Sequence, residues 1–370
     1  MTVDADLLAA RRARVAADVV DAGADGLLVT TLVNVRYLTG FTGSNGALVL
    51  HRDGTGVFLT DGRYRDQAEA EVPGLEHVIT RDLVGVAAQR ATDAASDAEG
   101  RAWAVETHTL SVDAHARLAD AAPTLRLVPA SRVVERAREV KDDAEVAALR
   151  EACRISVEAL RGLWEGPLVG RTEREVARDL EWRMLELGAE AVAFETILAS
   201  GPHTAVPHHR PTDRVLQPGD LLKSDFGARV DGYHADCTRT VVLGPADAWQ
   251  REVHAAVRAS QAAGVEALRA GSPVAEADAA ARGVLADAGW LEHFTTGLGH
   301  GVGLEIHEDP FVAASHVGTL ASRTTLTMEP GIYVPGRGGV RIEDTVLVTP
   351  DATGAPEVLT DLTTELLEIA

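Results

Sequence analysis

Two aspartates lie in a segment whose pattern otherwise predicts a packed β-hairpin. The segment is KSDFGARVDGYHADCTRT, residues 223–240, and the two acids are Asp225 and Asp236. A two-residue turn at Asp231-Gly232 places Asp236 diagonal to Asp225, whereas a turn one residue earlier makes them direct partners. In either register the two carboxylates share one face of the hairpin. They repel one another there unless one is protonated or a cation lies between them.

The alternative for this pair is a solvated position on an exposed strand face, and three later segments argue against it. GLGHGVGLEIHEDP contains His300 and His307, LTMEPGIYV contains Glu329, and GVRIEDTVLV contains Glu343. The turn-rich connection between the two glutamates predicts a second hairpin with a second pair of carboxylates. One imidazole and four carboxylates form a hard, oxygen-rich ligand set, which suits two divalent ions such as Mn²⁺ better than one.

Composition excludes several classes of partner. The chain of 370 residues carries 35 basic and 56 acidic side chains, a formal net charge of −21 that repels nucleic acid and anionic lipid. The N-terminal stretch has no continuous apolar run, so we expect neither a signal peptide nor a membrane span. Cys153 and Cys237 form no CxxC pair, which favours a reducing compartment. We therefore expect a cytoplasmic protein with two core cysteines and with no nucleic-acid or membrane partner.

The elements that must position the site fall into two α/β parts, residues 1–132 and 133–370. The first part alternates helices and strands, with a helix in DLLAARRARVAADVVDAG, a hairpin around Asp53-Gly54 and a helical segment near Ala87 to Ala95. A long helical pattern covers Arg132 to Gly188, with acidic residues that suit a helix N-terminus at 142–145. One more helical region, about Ala246 to Ala288, interrupts the strands that carry the acids.

The motifs together resemble the pita-bread metallopeptidases, specifically their aminopeptidase P and prolidase branch. The residues that carry the resemblance are DFGARVDGYHADCTRT, GLGHGVGLEIHE, TMEPGIYV and VRIEDTVLV, in this order, within roughly residues 140–365. YLTGFTGSNGALVL and LTDGRYRDQAEAE are similar to the smaller domain of the same enzymes. The resemblance implies a C-terminal pita-bread catalytic domain and a smaller N-terminal α/β domain of the creatinase/prolidase type.

Carried over position by position, the resemblance implies five ligands for two divalent ions. Asp225 binds one ion, His300 and Glu329 bind the other, and Asp236 and Glu343 bridge both. It implies Mn²⁺ as the metal, with Co²⁺ and Zn²⁺ as alternatives. All five ligand positions are filled, whereas creatinase-like and purely binding relatives of this fold have lost metal ligands.

The resemblance also implies catalytic roles for four side chains. Glu329 accepts a proton from the attacking water, His208 of VPHHRPTD and His307 stabilise the tetrahedral intermediate, and Arg341 holds a carboxylate ligand or a substrate group. Thr296 is a departure, because many enzymes of this branch have a further histidine there. This substitution leaves some substrate contacts open.

The expected function is a dinuclear Xaa-Pro aminopeptidase that acts on proline-containing peptides with proline in the second position. An Xaa-Pro dipeptidase is the alternative on the same site. A metal-free creatinase-like amidinohydrolase and a non-catalytic binding module are further alternatives, which the intact ligand set disfavours. By analogy with the family we expect a homodimer or a homotetramer.

Overall fold

The computed structural model describes residues 4–94, 101–350 and 354–369. The chain divides into two compact units, Met1–Arg138 and Glu139–Ala370. The division lies six residues after the boundary placed between residues 132 and 133 by the sequence pattern. Each unit has its own sheet and its own buried apolar core.

The first unit is a six-stranded mixed sheet with helices packed on it. Its strand order is β4-β3-β2-β1-β5-β6. In chain order the elements are α1 (Ala5–Asp21), β1 (Gly26–Val29), α2 (Leu32–Thr39), β2 (Gly46–His51), β3 (Gly56–Thr60), a 3₁₀ turn (Gly62–Tyr64), α3 (Arg65–Glu71), β4 (Glu76–Ile79), α4 (Leu83–Ala94), β5 (Ala102–Val105), α5 (Val112–Ala121), β6 (Arg126–Pro129) and α6 (Val133–Glu139).

Local sequence signals account for most of this unit. Asp4 caps α1, and Gly54 takes a left-handed conformation in the turn of the predicted β2–β3 hairpin. Alanines on one face of α4 pack with Leu118 of α5 against the buried faces of the central strands. The helical prediction near Ala87 to Ala95 is met by α4, although Ala95 itself lies outside the described residues. The helices α2 and α5 were not predicted.

The second unit contains four long helices and a β layer that is divided into several separate sheets. Its elements are α7 (Asp143–Trp164), α8 (Glu173–Glu186), β7 (Ala191–Val192), β8 (Ile197–Ser200), a 3₁₀ turn (Gly201–Ala205), β9 (Leu221–Phe226), β10 (Ala228–Val230), β11 (Tyr233–His234), β12 (Cys237–Leu243), α9 (Ala248–Ala267), α10 (Val274–Asp287), a 3₁₀ turn (Leu291–His293), β13 (His300–Gly301), β14 (Glu308–Phe311), β15 (Thr325–Met328), β16 (Gly331–Val334), β17 (Gly338–Arg341), β18 (Asp344–Leu347), β19 (Glu357–Val358) and β20 (Glu368–Ile369).

Two pairs of helices cover this β layer. The apolar faces of α7 and α8 pack on β8, β9 and β12, and those of α9 and α10 pack on β15, β17 and β18. Capping boxes start α7 at Asp142 and α8 at Thr172, as the acidic residues near 142–145 predicted for the first of these helices. The predicted helical stretch from Arg132 to Gly188 consists of three helices with turns between them.

The single helical region predicted for Ala246 to Ala288 is wrong in one respect. It consists of two helices, α9 and α10, separated by residues 268–273. Gly271 has a φ of +83° and Pro273 occupies the N-cap position of α10. Both residues interrupt a helix, because glycine takes the left-handed conformation freely and proline removes a backbone donor.

The first acidic hairpin has the register of the Asp231-Gly232 turn. Both turn residues have positive φ, 49° and 84°, as a two-residue hairpin turn of type I′ requires. Arg229 pairs with His234, and Phe226 with Cys237, so the two arms keep one register along their length. The alternative register, in which Asp225 and Asp236 pair directly, is not formed. Asp225 lies opposite Thr238.

The second acidic hairpin is also continuous in register. Met328 pairs with Asp344 in one half of it, and Gly331 pairs with Arg341 in the other. The same register places Glu329 opposite Glu343, as predicted. At that position Glu343 does not donate to the opposite strand of its own hairpin. Its N–H donates instead to the Thr238 carbonyl, at 3.0 Å. This bridge joins the two acidic hairpins side by side.

The two cysteines are buried and free, which agrees with the prediction that they are core residues. Across the described ranges, none of the helices combines the length and the apolar character that crossing a membrane requires.

Candidate metal centre

A cleft of about 590 Å³ in the second unit brings the predicted side chains together. Its wall includes all five candidate ligands and both candidate catalytic histidines, namely Asp225, Asp236, His300, Glu329, Glu343, His208 and His307. Arg341 is not on the wall. It lies beneath it, with 1% of its surface exposed. The ligands come from β9, from the loop before β12, from β13 and from the two arms of the second acidic hairpin.

The tautomer of His300 fits a cation bound in this cleft. Its Nδ1 is 3.1 Å from the Gly301 carbonyl, which only accepts hydrogen bonds, so Nδ1 carries the proton. Burial lowers the pKa of His300 to about 4, so the ring is neutral near pH 7. Its Nε2 therefore presents a bare lone pair to Glu329 and Asp236, at 3.4 Å and 3.6 Å from their oxygens. When these two carboxyls are ionised, acceptors face acceptors there, and a bound cation resolves that conflict.

The carboxylates repel one another in the same way. Burial raises the pKa of Asp236 well above its usual range, and the neighbouring Glu343 and Asp225 raise it further. Burial and the neighbouring carboxylates likewise raise the pKa of Glu343, and burial raises that of Glu329 to about 7. These are the shifts expected of acids packed together without a compensating charge.

Two carboxylate oxygens of the cleft have no hydrogen-bond partner among the described residues. They are Oδ1 of Asp225 and Oδ1 of Asp236, both buried. One ligand atom each from Asp236, His300 and Glu343 also lies within 4.8 Å of the others. A buried orphan oxygen costs free energy unless it is satisfied, so the donor set fits hard divalent cations that bind oxygen and imidazole nitrogen.

Buried arginines hold the ligands in place from behind. The Arg341 guanidinium donates to Asp225 Oδ2, to the Thr238 hydroxyl at 3.1 Å and to the Tyr333 hydroxyl at 2.9 Å. The geometry thus places Arg341 on a carboxylate ligand, the first of the two roles expected for it. The Thr238 hydroxyl in turn donates to Glu343 at 2.7 Å. Because a charge-assisted hydrogen bond orients its acceptor, this network fixes the carboxylates of both hairpins.

Arg239 holds the backbone of the last ligand. It donates to the Glu343 carbonyl at 2.6 Å and forms a buried ion pair with Asp344 at 2.7 Å. Gln261 of α9 donates to the second oxygen of Asp344. The strand that presents Glu343 is therefore tied to the helical layer behind it.

The two predicted catalytic histidines lie on the open side of the ligand cluster. Both are exposed to solvent. The His307 ring packs edge-on against His300, with 4.3 Å between the ring centroids. Its partial burial lowers the pKa of His307, and the nearby His208 lowers it further. A neutral His307 imidazole at this place can donate a hydrogen bond to an anionic group without adding a buried charge.

Sequence reasoning missed three buried polar residues that support the site: Tyr333, Lys223 and Glu173. Tyr333 accepts the hydrogen bond from Arg341 described above. Lys223 and Glu173 contact the segment that carries His208. Lys223 had a detectable signal, because a lysine follows two leucines in the strand LLKSDF, all six residues of which are buried. Glu173 had none, since an acidic residue in the first turn of a helix is ordinary.

Glu329 should make the metal-free protein less stable as the pH rises. The pKa of Glu329 in the folded state is about 7 against an ordinary 4.5, so this carboxyl binds more protons in the folded chain than in the unfolded chain between those values. Its contribution to stability falls as pH rises through that window, whereas His300, with a folded pKa of about 4, contributes in the opposite direction. We therefore expect the Tm of chelator-treated protein to fall by roughly 5 °C or more between pH 5 and pH 8 relative to that of Glu329→Gln, measured by calorimetry.

The reference for this pH dependence is Glu329→Gln, which removes the titrating group. The metal-free Tm of the unsubstituted chain minus that of the variant should become more negative from pH 5 to pH 8. Adding Mn²⁺ to the unsubstituted chain should reduce its loss relative to the variant at pH 8. A difference in Tm that stays constant with pH would contradict the electrostatic account of this cluster.

Comparison with known proteins places this architecture in a family. The sequence model of metallopeptidase family M24 matches residues 147–350, and that of the Creatinase/Prolidase N-terminal domain matches residues 11–140. Both predicted domain types are confirmed, as is the α/β fold class with a C-terminal pita-bread domain.

Individual proteins are similar over nearly the whole chain. "Probable dipeptidase PepE" of Mycobacterium bovis is 37% identical over 94% of this chain and 94% of its own length. The structure titled "Xaa-Pro dipeptidase from Bacillus anthracis" has a TM-score of 0.91 and 34% identity, covering 98% of this chain and 100% of that one. The X-Pro aminopeptidase from Thermotoga maritima has a TM-score of 0.88 and 31% identity, covering 97% and 99%.

Both domain matches and the full-length similarities agree with the ligand cluster at the base of the cleft. The chain belongs to metallopeptidase family M24, and it is a metallopeptidase with a creatinase/prolidase N-terminal domain.

Proposed function

We propose that this protein is a dinuclear metal-dependent peptidase that hydrolyses the bond preceding proline, with Xaa-Pro dipeptides as its main substrates. The observation that carries the metal-dependent part is the bare Nε2 of His300 facing the oxygens of Asp236 and Glu329. The names of the similar proteins from Bacillus anthracis and Thermotoga maritima support proline after the scissile bond.

The five predicted ligands would hold the two ions: Asp225, Asp236, His300, Glu329 and Glu343. We propose Mn²⁺ for both positions, because four of the five ligands are carboxylates. Ions bound there supply Lewis-acid chemistry, since they make water nucleophilic near neutral pH and polarise a carbonyl. The cytoplasmic location and a homodimer or homotetramer stay predictions.

The chain's own groups then have distinct tasks. Glu329 accepts a proton at its carboxylate and delivers it to the leaving nitrogen, since this carboxylate lines the cleft beside the other candidate ligands. His208 and His307 donate hydrogen bonds to the oxyanion from the open side of the cleft. Arg341 does not reach the cleft wall. It orients Asp225 and prevents that carboxylate from turning away from the ions.

The length of substrate that the cleft accepts depends on which side chain contacts the part of the substrate that follows the proline ring. A dipeptide ends there in a free carboxylate, which needs a positive partner. Arg210 is the one lysine or arginine found among the described residues that line the cleft. Its side chain is 82% exposed and lies 3.2 Å from Glu195, which also lines the cleft. The guanidinium is therefore available for a carboxylate and needs no rearrangement of the core.

An Xaa-Pro aminopeptidase, the activity expected from the sequence, is the second candidate. Phe311 favours this activity. Its apolar side chain lines the cleft and is 45% exposed. It presents no charged group that would select the carboxylate of a dipeptide over a longer peptide. The name of the Thermotoga maritima protein supports the same reading. We place it second because two of the three similar proteins named above are called dipeptidases.

Asp236→Ala should abolish turnover without unfolding the protein. Removing a ligand shared by both ions should release at least one of them and lower kcat roughly a thousandfold or more, because Lewis-acid stabilisation contributes several kcal/mol. Metal content by plasma mass spectrometry and kcat on Ala-Pro are the measurements. The metal-free Tm should stay equal or rise, since one repelling carboxylate is gone.

The matched control for Asp236→Ala is Asp213→Ala, which removes an exposed carboxylate paired with Arg174 outside the cleft. It should keep both ions and full activity. Two bound ions and normal turnover in the Asp236 variant would show that the ligand assignment is wrong.

The two neighbouring histidines should separate metal binding from catalysis. His300→Ala should lower metal affinity, because its Nε2 faces the ligand oxygens. His307→Ala should keep both ions and lower kcat by roughly a hundredfold, as expected for loss of one oxyanion donor. Isothermal titration with Mn²⁺ and steady-state kinetics test the division, and equal loss of metal in both variants would contradict it.

Substrate length is tested with Ala-Pro, Ala-Pro-amide and Ala-Pro-Ala. We expect kcat/KM to be highest on Ala-Pro. Arg210→Ala should lower it roughly fivefold on Ala-Pro alone, because an exposed charge pair contributes up to about 1 kcal/mol. Arg258→Ala is the control, since it removes an exposed arginine paired with Glu365 away from the cleft.

Equal kcat/KM on Ala-Pro and Ala-Pro-Ala would favour the aminopeptidase instead. No cleavage of any of the three compounds by the Mn²⁺-loaded protein would exclude both candidates.

A further inference from the structure

The segment that carries His208 is held by two buried, oppositely charged side chains. Residues 200–212, called the 200–212 segment below, run from the end of β8 through a 3₁₀ turn and past His208 and Arg210. The His208 imidazole is exposed, and none of the described residues forms a hydrogen bond with it. Its position in the cleft therefore depends on the backbone that presents it.

Lys223 holds the middle of this segment. It lies on β9 two residues before Asp225, so both side chains project from the same face of the strand. Its ammonium is fully buried and donates to the carbonyls of Val206 at 2.7 Å, Pro207 at 3.1 Å and Thr204 at 3.3 Å. These carbonyls directly precede His208. A lysine without these acceptors would be costly at such a buried position.

Glu173 holds the two ends of the segment. This fully buried residue in the first turn of α8 accepts six hydrogen bonds. Oε1 receives the backbone N–H and hydroxyl of Ser200, each at 2.8 Å, and His203 Nδ1 at 3.0 Å. Oε2 receives the N–H of Thr212 at 3.0 Å, its hydroxyl at 2.7 Å and His209 Nε2 at 2.9 Å. With six donors already bonded to it, this carboxylate serves the fold of the segment.

The clamp is connected to the metal ligands. The Pro207 carbonyl that accepts from Lys223 also accepts from Arg341 at 3.2 Å. Arg341 in turn donates to Asp225. The backbone next to His208 thus shares hydrogen-bond donors with a candidate ligand, and the distance between the histidine and the cluster is set by buried charges.

We propose that Lys223 and Glu173 are positioning residues that clamp the 200–212 segment and hold His208 at the cleft before substrate arrives. Glu173 accepts hydrogen bonds from the ends of the segment, and Lys223 donates hydrogen bonds to carbonyls in its middle. These contacts order the segment although its exposed histidine is not packed. The inference rests on the proposed function through the role of His208.

Lys223→Met tests the middle of the clamp, because methionine is of similar length and has no donor. We expect kcat on Ala-Pro to fall roughly tenfold with KM and metal content unchanged. Amide exchange of residues 204–206, which lie in the 3₁₀ turn or donate back to it, should speed up at least tenfold in both the metal-free and the Mn²⁺-loaded protein, while exchange in β12 stays the same. Ser224→Ala, on the adjacent position of β9, is the control and should change none of these values.

A double-mutant cycle separates positioning from general damage. Lys223→Met should cost less than a further threefold in kcat when His208 is already alanine, since groups that act as one unit are not additive. Glu173→Gln is the second variant. It replaces an acceptor oxygen by a donor, so exchange should speed up at residues 209–212 and kcat should fall.

The outcomes distinguish this inference from the proposed function. If His208→Ala keeps the kcat of the unsubstituted chain, the role of His208 is wrong, and amide exchange still decides whether the clamp exists. Unchanged exchange of the 200–212 segment in both Lys223→Met and Glu173→Gln would overturn the clamp. An equal tenfold loss from Lys223→Met with and without His208 would overturn positioning through that histidine.

Discussion

Repulsion among four closely packed carboxylates, three of them buried and one half-buried, is the constraint on which the second unit depends. Asp225, Asp236, Glu329 and Glu343 face one cleft, and their only imidazole neighbour in the ligand set, His300, is neutral because burial lowers its pKa to about 4. Folding brings these charges together at a free-energy cost that a bound cation offsets. Metal binding and folding of this unit are therefore linked.

The fold meets this constraint by keeping its fixed positive charges behind the ligands. Arg341 contacts Asp225 from below and Arg239 contacts the backbone of Glu343, while neither lines the cleft. Two antiparallel hairpins supply the geometry, each with one unbroken register, and the bridge from Thr238 to Glu343 sets them beside one another. A shift of one residue in either hairpin would turn a ligand to the opposite face of the sheet.

Sequence reasoning predicted the parts of this arrangement that depend on local signals. Asp231-Gly232 is a favoured turn dipeptide and indicated the register that forms, although the sequence left a second register open, and the acids stood out in apolar strands. The buried charged residues that sequence reasoning missed share one physical cause, which is contact between residues distant in sequence. Lys223 finds its carbonyl partners 16 to 19 residues earlier, and Glu173 finds Thr212 39 residues later. No local sequence pattern predicts a contact across either of these sequence separations. The break between α9 and α10 was a different error, because Gly271 and Pro273 were visible in the sequence.

The 200–212 segment connects two tasks that the proposed function assigns to separate groups. His208 would face the developing oxyanion and Arg210 the substrate carboxylate, and only one residue, His209, lies between them. His209 is bonded to the buried Glu173, so the two neighbours cannot move far apart. Binding of a substrate carboxylate to Arg210 would then stabilise the same backbone segment that positions His208, the group proposed to contact the transition state. In such an arrangement a substrate that lacks the carboxylate loses kcat as well as affinity, because remote contacts contribute to orientation at the reacting centre.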